Sequence, residues 1–233
     1  MTVDHLNRHR RWLLLFSLLL SLAGYFGPWI DHPVAGLVIT GLDLAEVVKF
    51  LPAVRSGALT LWREGFYLPL LAVSLTSSLL AFRRELGYGW PLRGFLLLVA
   101  GVAALNMLPP AWSPGLLLTP EFRTQTAAMA LCFAALLFSP FWALLPQGVT
   151  GSLVAILQLA AVVWPVAGFL RLLPQFSLLY NHPQSPGWGM GAMVAGLLGT
   201  LVLTVVPPLA RRFARPHQMD AREGEMDATG RNE

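Results

Sequence analysis

The sequence predicts an all-α polytopic membrane protein, a bundle of six transmembrane helices with one short amphipathic helix outside the membrane. Hydrophobic residues make up 55% of the 233 residues and charged residues only 12%, about half the charge of an average soluble domain. The mean hydropathy is +0.61. Apolar stretches long enough to cross a bilayer alternate with charged or proline-rich segments. These features exclude a disordered protein, a coiled coil and an ordinary soluble enzyme.

The basic residues indicate membrane topology rather than binding of nucleic acid. The chain has 16 basic and 12 acidic residues, for a net charge of +4. The arginines cluster at the ends of apolar stretches, where the positive-inside rule places them. The single cysteine, Cys132, excludes an intramolecular disulfide and a thiolate metal site. We therefore expect no nucleic-acid partner, no metal and no cofactor.

The first predicted span follows a basic N-terminus at residues 1–11 and covers residues 12–30, which carry no charge. A cleaved signal peptide is the alternative, since a basic start, a leucine-rich core and small residues also fit that reading. Tyr25 and Trp29 near the end of the stretch favour a retained helix, because these residues are enriched at membrane interfaces.

Residues 31–65 contain too many charges for a span. Within this region Thr40 and Asp43 predict a capping box, with Asp in place of Glu. Apolar residues share one helical face over the following turns, so we expect an amphipathic helix at 41–51 on the extracytoplasmic side, ended by Pro52.

The remaining spans are separated by charges, prolines and glycines. The uncharged stretch 124–170 is too long for one helix, and Pro146 and Gly148 divide it into two. Three prolines predict a broken segment at 171–187 before the last span, and 211–233 reads as a disordered cytoplasmic tail. The predicted spans after the first are 65–82, 94–109, 125–145, 150–170 and 188–209.

Six spans place both termini on the same side of the membrane. With that side cytoplasmic, the inner segments carry nine basic residues and the outer segments five. This asymmetry predicts a bacterial cytoplasmic membrane protein with both termini in the cytoplasm.

The predicted spans contain no ionisable residue in their interiors, which disfavours ion-driven transport. Uncharged polar residues remain as candidates to bind a solute or to bond between helices, and we expect the second role for the amides. They are Ser74, Ser77, Ser78, Asn106 and Gln158.

Small residues recur at every fourth position of the last span: Gly187, Gly191, Ala195 and Gly199. This spacing predicts a face that allows close approach of another helix. The partner helix belongs either to the same chain or to another subunit.

A weaker candidate lies on the outer face, where Asp31, His32, Glu46 and His182 fall on the same predicted side. Imidazoles and carboxylates suit zinc binding or acid–base catalysis. No recognised ligand spacing connects them, so ordinary solvated loop residues are the simpler interpretation.

These features favour a non-catalytic accessory protein or subunit that acts through helix–helix contacts. We expect its partners to be the lipid bilayer and either another membrane protein or a second copy of the chain. The alternative is a carrier or permease component built on a 3+3 inverted repeat. Prolines occur at matching positions near the ends of spans one and four, and of spans three and six. A third hypothesis is an interfacial membrane enzyme using the outer histidines and carboxylates.

Overall fold

A computed structural model describes residues 3–32, 34–109 and 112–206. Its described part is mostly helical, with ten α-helices and one two-stranded ribbon, which confirms the all-α class. The helices are α1 Val3–Phe26, α2 Gly41–Val47, α3 Pro52–Arg55, α4 Leu68–Leu80, α5 Trp90–Leu105, α6 Pro114–Leu117, α7 Arg123–Leu137, α8 Ser139–Trp142, α9 Gln147–Leu179 and α10 Trp188–Val206. The strands are β1 Pro28–Ile30 and β2 Ile39–Thr40.

The first helix lies nearer the N-terminus than the predicted span 12–30, because α1 already begins at Val3. It ends at Phe26 rather than Ile30, and β1 pairs antiparallel with β2. Proline lacks the N–H that would continue the helix ladder, so Pro28 favours this change to extended backbone. The Gly187 N–H donates to the Trp29 carbonyl at 2.7 Å, which ties the ribbon to the start of α10.

The predicted capping box at the start of α2 is confirmed. The Thr40 hydroxyl accepts the Asp43 N–H at 3.3 Å, and the Asp43 carboxylate accepts the Thr40 N–H at 3.0 Å. Leu44 is buried on the inner face of the helix. A 3₁₀ turn at Val48–Phe50 follows, and Pro52 begins α3 as well as preventing the earlier helix from continuing.

Helix α4 lies at the centre of the bundle. It packs against α1, α5, α7 and α9, and 11 of its 13 residues are buried. A 3₁₀ segment at Arg63–Tyr67 leads directly into it.

The six longer helices run alternately between two ends of the bundle. At one end, Arg10 of α1 donates to the Leu203 carbonyl of α10, and Arg83 after α4 donates to the Thr150 hydroxyl of α9. At the other end, the Tyr180 hydroxyl after α9 donates to the Leu37 carbonyl. We call the first the basic end and the second the mixed-charge end.

The charges of the described residues differ between these ends. Within residues 9–206, the basic end has five arginines and one acid, namely Arg10, Arg11, Arg83, Arg84, Arg93 and Glu85. The mixed-charge end has five basic and five acidic residues, namely Lys49, Arg55, Arg63, Arg123, Arg171, Asp31, Asp43, Glu46, Glu64 and Glu121.

Two described helices, α9 and α10, are long and apolar enough to cross a membrane. In their most apolar windows only 28% and 33% of the residues are buried, so most side chains face outward. Helices α5 and α7 are apolar but shorter. Six membrane-spanning helices were expected. By length and composition, two of the described helices could span a membrane.

Helix α9 also differs from expectation. The break predicted across 171–187 starts later, because the helix continues through Pro165 and Pro174 to Leu179. Each of these prolines removes one helix hydrogen bond but leaves the remaining ladder to hold the helix together. The predicted tail at 211–233 lies outside the described residues.

Candidate functional site

Charged side chains join three segments at the mixed-charge end. Glu46 and Lys49 of the α2 region form an ion pair at 2.6 Å, and Lys49 lies 3.7 Å from Glu121 before α7. Arg63 approaches the same Glu121 carboxylate at 3.3 Å. Because the Glu121 side chain is half exposed, these pairs contribute little stability individually, but together they fix how the segments meet.

Two aromatic residues, Tyr67 and Phe122, contact this network. The Tyr67 hydroxyl donates to Glu46 at 3.3 Å, and the Arg63 guanidinium lies 5.7 Å from the centre of the Phe122 ring. Gln125 donates to the Met107 carbonyl, which joins α7 to the end of α5. Glu46 therefore belongs to an ion-pair network rather than to a histidine site.

The other candidates on the outer face have separate, local partners. His32 Nδ1 accepts the Val34 N–H at 3.1 Å, and its ring centre lies 5.3 Å from that of Tyr180. His182 Nδ1 contacts the Pro183 carbonyl at 2.9 Å, where it can only donate. Asp31 is exposed. Across the described ranges, no three His, Cys, Asp or Glu residues are arranged to hold a metal ion.

The polar candidates of the predicted spans divide into buried and local sets. The Ser74 hydroxyl donates to the Ala100 carbonyl of α5 at 2.9 Å, and Gln158 of α9 donates to the Thr76 hydroxyl at 2.9 Å. These residues are fully buried. Asn106, in contrast, donates to the Val102 carbonyl one turn earlier in its own helix, at 2.8 Å.

Three buried polar atoms in this region lack a hydrogen-bond partner among the described residues. They are the hydroxyl oxygens of Ser77 and Ser78 and the side-chain carbonyl oxygen of Gln158. Buried polar groups are normally hydrogen-bonded, so these three atoms on α4 and α9 have unused hydrogen-bonding capacity.

The small residues of α10 lie on two edges. Along the edge facing α1, a side-chain carbon at Gly196 would lie 2.5 Å from the Ser17 carbonyl, and one at Gly187 would lie 2.3 Å from the Pro28 carbonyl. Gly199 also faces this side, next to the Ser17 hydroxyl. We call this the inner edge.

The other two small residues of the predicted stripe point away from α1. Gly191 and Ala195 are exposed, and no atom lies within 4 Å of the position that a side-chain carbon would take at Gly191. We call Gly191 and Ala195 the outer edge.

Arg83 has a role that the sequence did not indicate. Only 4% of the residue is exposed, and its guanidinium donates to the Leu145 carbonyl at 2.7 Å, the Thr150 hydroxyl at 3.1 Å and Glu85 at 2.9 Å. It thus joins the end of α4 to the turn between α8 and α9. Its position in an Arg-Arg pair suggested only a topology signal.

A cleft near the mixed-charge end was also missed. It has a volume of about 280 Å³ and separates the segment 60–66 from α9. The Trp62 and Trp164 rings meet edge to face at its mouth, with centres 5.8 Å apart, and Arg171 lies at its rim. We call this the Trp62–Trp164 cleft. The residues are distant in sequence, so no local pattern indicated that they meet.

Comparison of the chain with protein-family models, with curated proteins and with solved structures gave no match.

Proposed function

We propose that the chain is a six-pass integral protein of a bacterial cytoplasmic membrane and acts as a non-catalytic accessory subunit. The alternating direction of the six longer helices supports this topology, since each runs from one end of the bundle to the other. Short helical segments extend two of the shorter helices, Arg63–Tyr67 before α4 and α8 after α7.

The proposed orientation puts the basic end in the cytoplasm. Within residues 9–206, five arginines and one acid lie there, whereas charges balance at the mixed-charge end. An excess of arginine favours retention of a segment on the cytoplasmic side.

The outer edge of α10 is the observation that carries the accessory role. Small residues let helix backbones approach closely in lipid, and α1 already uses the inner edge in this way. Gly191 and Ala195 offer the same surface on the outside, flanked by the exposed apolar residues Leu198 and Val202. A helix of another membrane protein, or of a second copy, would pack there.

Purification of the tagged full-length protein in a mild detergent tests this role. We expect a membrane protein or a second copy to co-purify at fixed stoichiometry, measured by mass spectrometry. Gly191→Leu should remove that partner, because a large side chain blocks close approach.

Gly151→Leu is the matched control, since Gly151 is also a helical glycine with open space around it. It should retain the partner. A wild-type protein that purifies as a monomer, or equal retention by both variants, would contradict the accessory role.

A carrier is the second candidate, favoured by the buried polar atoms of α4 and α9 that have no hydrogen-bond partner among the described residues. A transported solute with hydrogen-bonding groups would use the free oxygens of Ser77, Ser78 and Gln158. Uptake into liposomes containing only this protein, lost in Gln158→Leu, would support a carrier. The lengths of α4 and α9, 13 and 33 residues, lend no support to the inverted repeat, which would make these helices equivalent.

A further inference from the structure

We propose that the Trp62–Trp164 cleft binds a phospholipid with an anionic headgroup. Its acyl chain lies in the cleft and its headgroup phosphate lies against Arg171. The inference rests on the membrane topology of the proposed function, but not on the accessory role.

Two glycines keep the cleft open. A side-chain carbon at Gly168 would lie 3.2 Å from the Phe66 ring, and one at Gly65 would lie 3.1 Å from Trp164. The remaining walls are mostly apolar, with Leu61, Phe66 and Val163 among them. The volume of about 280 Å³ approaches that of common small-ligand pockets, which begin at about 300 Å³.

Arg171 supplies the charge that selects the headgroup. Of the described residues that line the cleft, it is the one that carries a charge, and it is exposed. Among the described residues it has no ion pair or hydrogen bond, whereas nearby Arg63 pairs with Glu64 and Glu121. An unpaired arginine beside an apolar surface is satisfied by a phosphate oxygen, with which guanidinium forms charge-assisted hydrogen bonds.

The spacing of Trp164 and Arg171 along α9 matches the distance between the acyl-chain boundary and the headgroup of a lipid. Arg171 lies two helical turns beyond Trp164, about 10 Å nearer the mixed-charge end. Tryptophan favours the boundary between headgroups and acyl chains, and arginine extends toward the headgroups.

On the other side of Trp164, Leu157 and the exposed Leu153 lie seven and eleven positions earlier on the same face of the helix and continue an apolar surface along it. The cleft therefore opens toward the region that acyl chains occupy in the proposed topology. This continuity favours a lipid over a soluble phosphate compound, which has no apolar part to fill the cleft.

Native mass spectrometry of the purified full-length protein tests the proposal. Phosphatidylglycerol and phosphatidylcholine with identical acyl chains are titrated in detergent, and the bound lipids are counted. We expect the wild type to prefer phosphatidylglycerol.

Arg171→Gln should reduce this preference about fivefold, the factor equivalent to about 1 kcal/mol for one basic residue near an anionic lipid surface. Arg123→Gln, which removes an exposed arginine at the same end but away from the cleft, should leave it unchanged. Gly168→Leu should lower binding of both lipids because it fills the cleft, and Gly151→Leu should not.

Glycerol phosphate and inorganic phosphate are added as competitors. Neither should displace the lipid at millimolar concentration. Competition by either would overturn the assignment to lipid and indicate a soluble anion site. Equal lipid preferences in Arg171→Gln and Arg123→Gln would overturn the role of Arg171.

A different experiment shows whether the proposed membrane topology itself is wrong. Release of the protein from membranes by alkaline carbonate would refute the proposed membrane function. Retention in the membrane without lipid preference would refute only the cleft proposal.

Discussion

Helices α4 and α9 are both apolar, yet they occupy opposite environments. In α4, 11 of 13 residues are buried, and in α9 only 8 of 33. The buried residues of α9 form one stripe at spacings of three and four, namely Thr150, Val154, Gln158, Ala161, Pro165, Phe169, Leu172 and Phe176. One helix is therefore enclosed on every side, whereas the other contributes a single stripe.

The difference shows that hydropathy does not separate a central helix from a peripheral one in this chain. The polar residues do so better. Helix α4 carries four hydroxyl residues, all fully buried, and Gln158 of α9 turns toward them. Polar side chains that must avoid lipid identify the side on which protein lies.

Truncation of an apolar side chain should give the largest difference in the free energy of unfolding between variants of α4 and of α9. Leu70→Ala in α4 removes a fully buried side chain and should lower the free energy of unfolding by about 2–5 kcal/mol. Leu159→Ala in α9, where 48% of the residue is exposed, should change it by less than about 0.5 kcal/mol. Denaturation in mixed micelles measures both. Equal losses would show that α9 is enclosed by protein as α4 is.

Removal of Arg83 should have the next largest effect. Arg83→Gln leaves the Leu145 carbonyl and Thr150 hydroxyl without their charged donor, at a cost of about 1.5–3 kcal/mol. Its sequence neighbour Arg84 is exposed, so Arg84→Gln should be nearly neutral. The same denaturation assay compares the pair. If the two variants unfold alike, Arg83 does not hold α4 to the start of α9.

The hydrogen bond between α4 and α9 should contribute less to the free energy of unfolding than Arg83 does. Gln158→Leu removes the donor to Thr76 and should cost about 0.6–1.7 kcal/mol, the range of hydrogen bonds between membrane helices. Asn106→Leu is the control, since Asn106 bonds only within α5. Thermal denaturation in detergent compares them. A larger loss in Asn106→Leu would reverse the assignment of the interhelical contact.

The smallest effect concerns alkaline pH. Burial raises the pKa of Tyr88 to about 12, although Arg10 and Arg11 lower it in part. The neutral phenol is therefore preferred in the folded protein, and its contribution is complete below pH 10 and declines as pH rises from 10 to 12. Tyr88→Phe should flatten the decline in stability across that window. An unchanged pH profile would contradict this assignment.

Local patterns in the sequence predicted local structure well. The capping box at Thr40 and Asp43 depends on residues three positions apart, and it forms as expected. The predicted end at Ile30 was wrong because β1 pairs with residues that no local pattern indicates, including a bridge from Ile30 to Pro186. The predicted break from residue 171 was also wrong at its start, since Pro174 lies inside one continuous helix that ends at Leu179.

The sites depended on contacts that a single sequence does not reveal. The spacing of small residues in α10 predicted close packing, but not that α1 would occupy only one edge. Trp62, Trp164 and Arg171 meet across about 100 positions of sequence, so no motif marked the cleft. Burial of Arg83 similarly depends on the distant turn at Leu145.

The central position of α4 has a consequence for the order of assembly. Thr76 is followed by 82 positions before its partner Gln158. At about 5–20 residues per second, the ribosome needs about 4–16 seconds to reach that partner. During that interval Thr76 has no Gln158 to bond. In the proposed topology the nascent chain must keep the hydroxyl groups of α4 away from lipid before α9 exists, which makes early pairing of α4 with α1 and α5 a requirement of biogenesis.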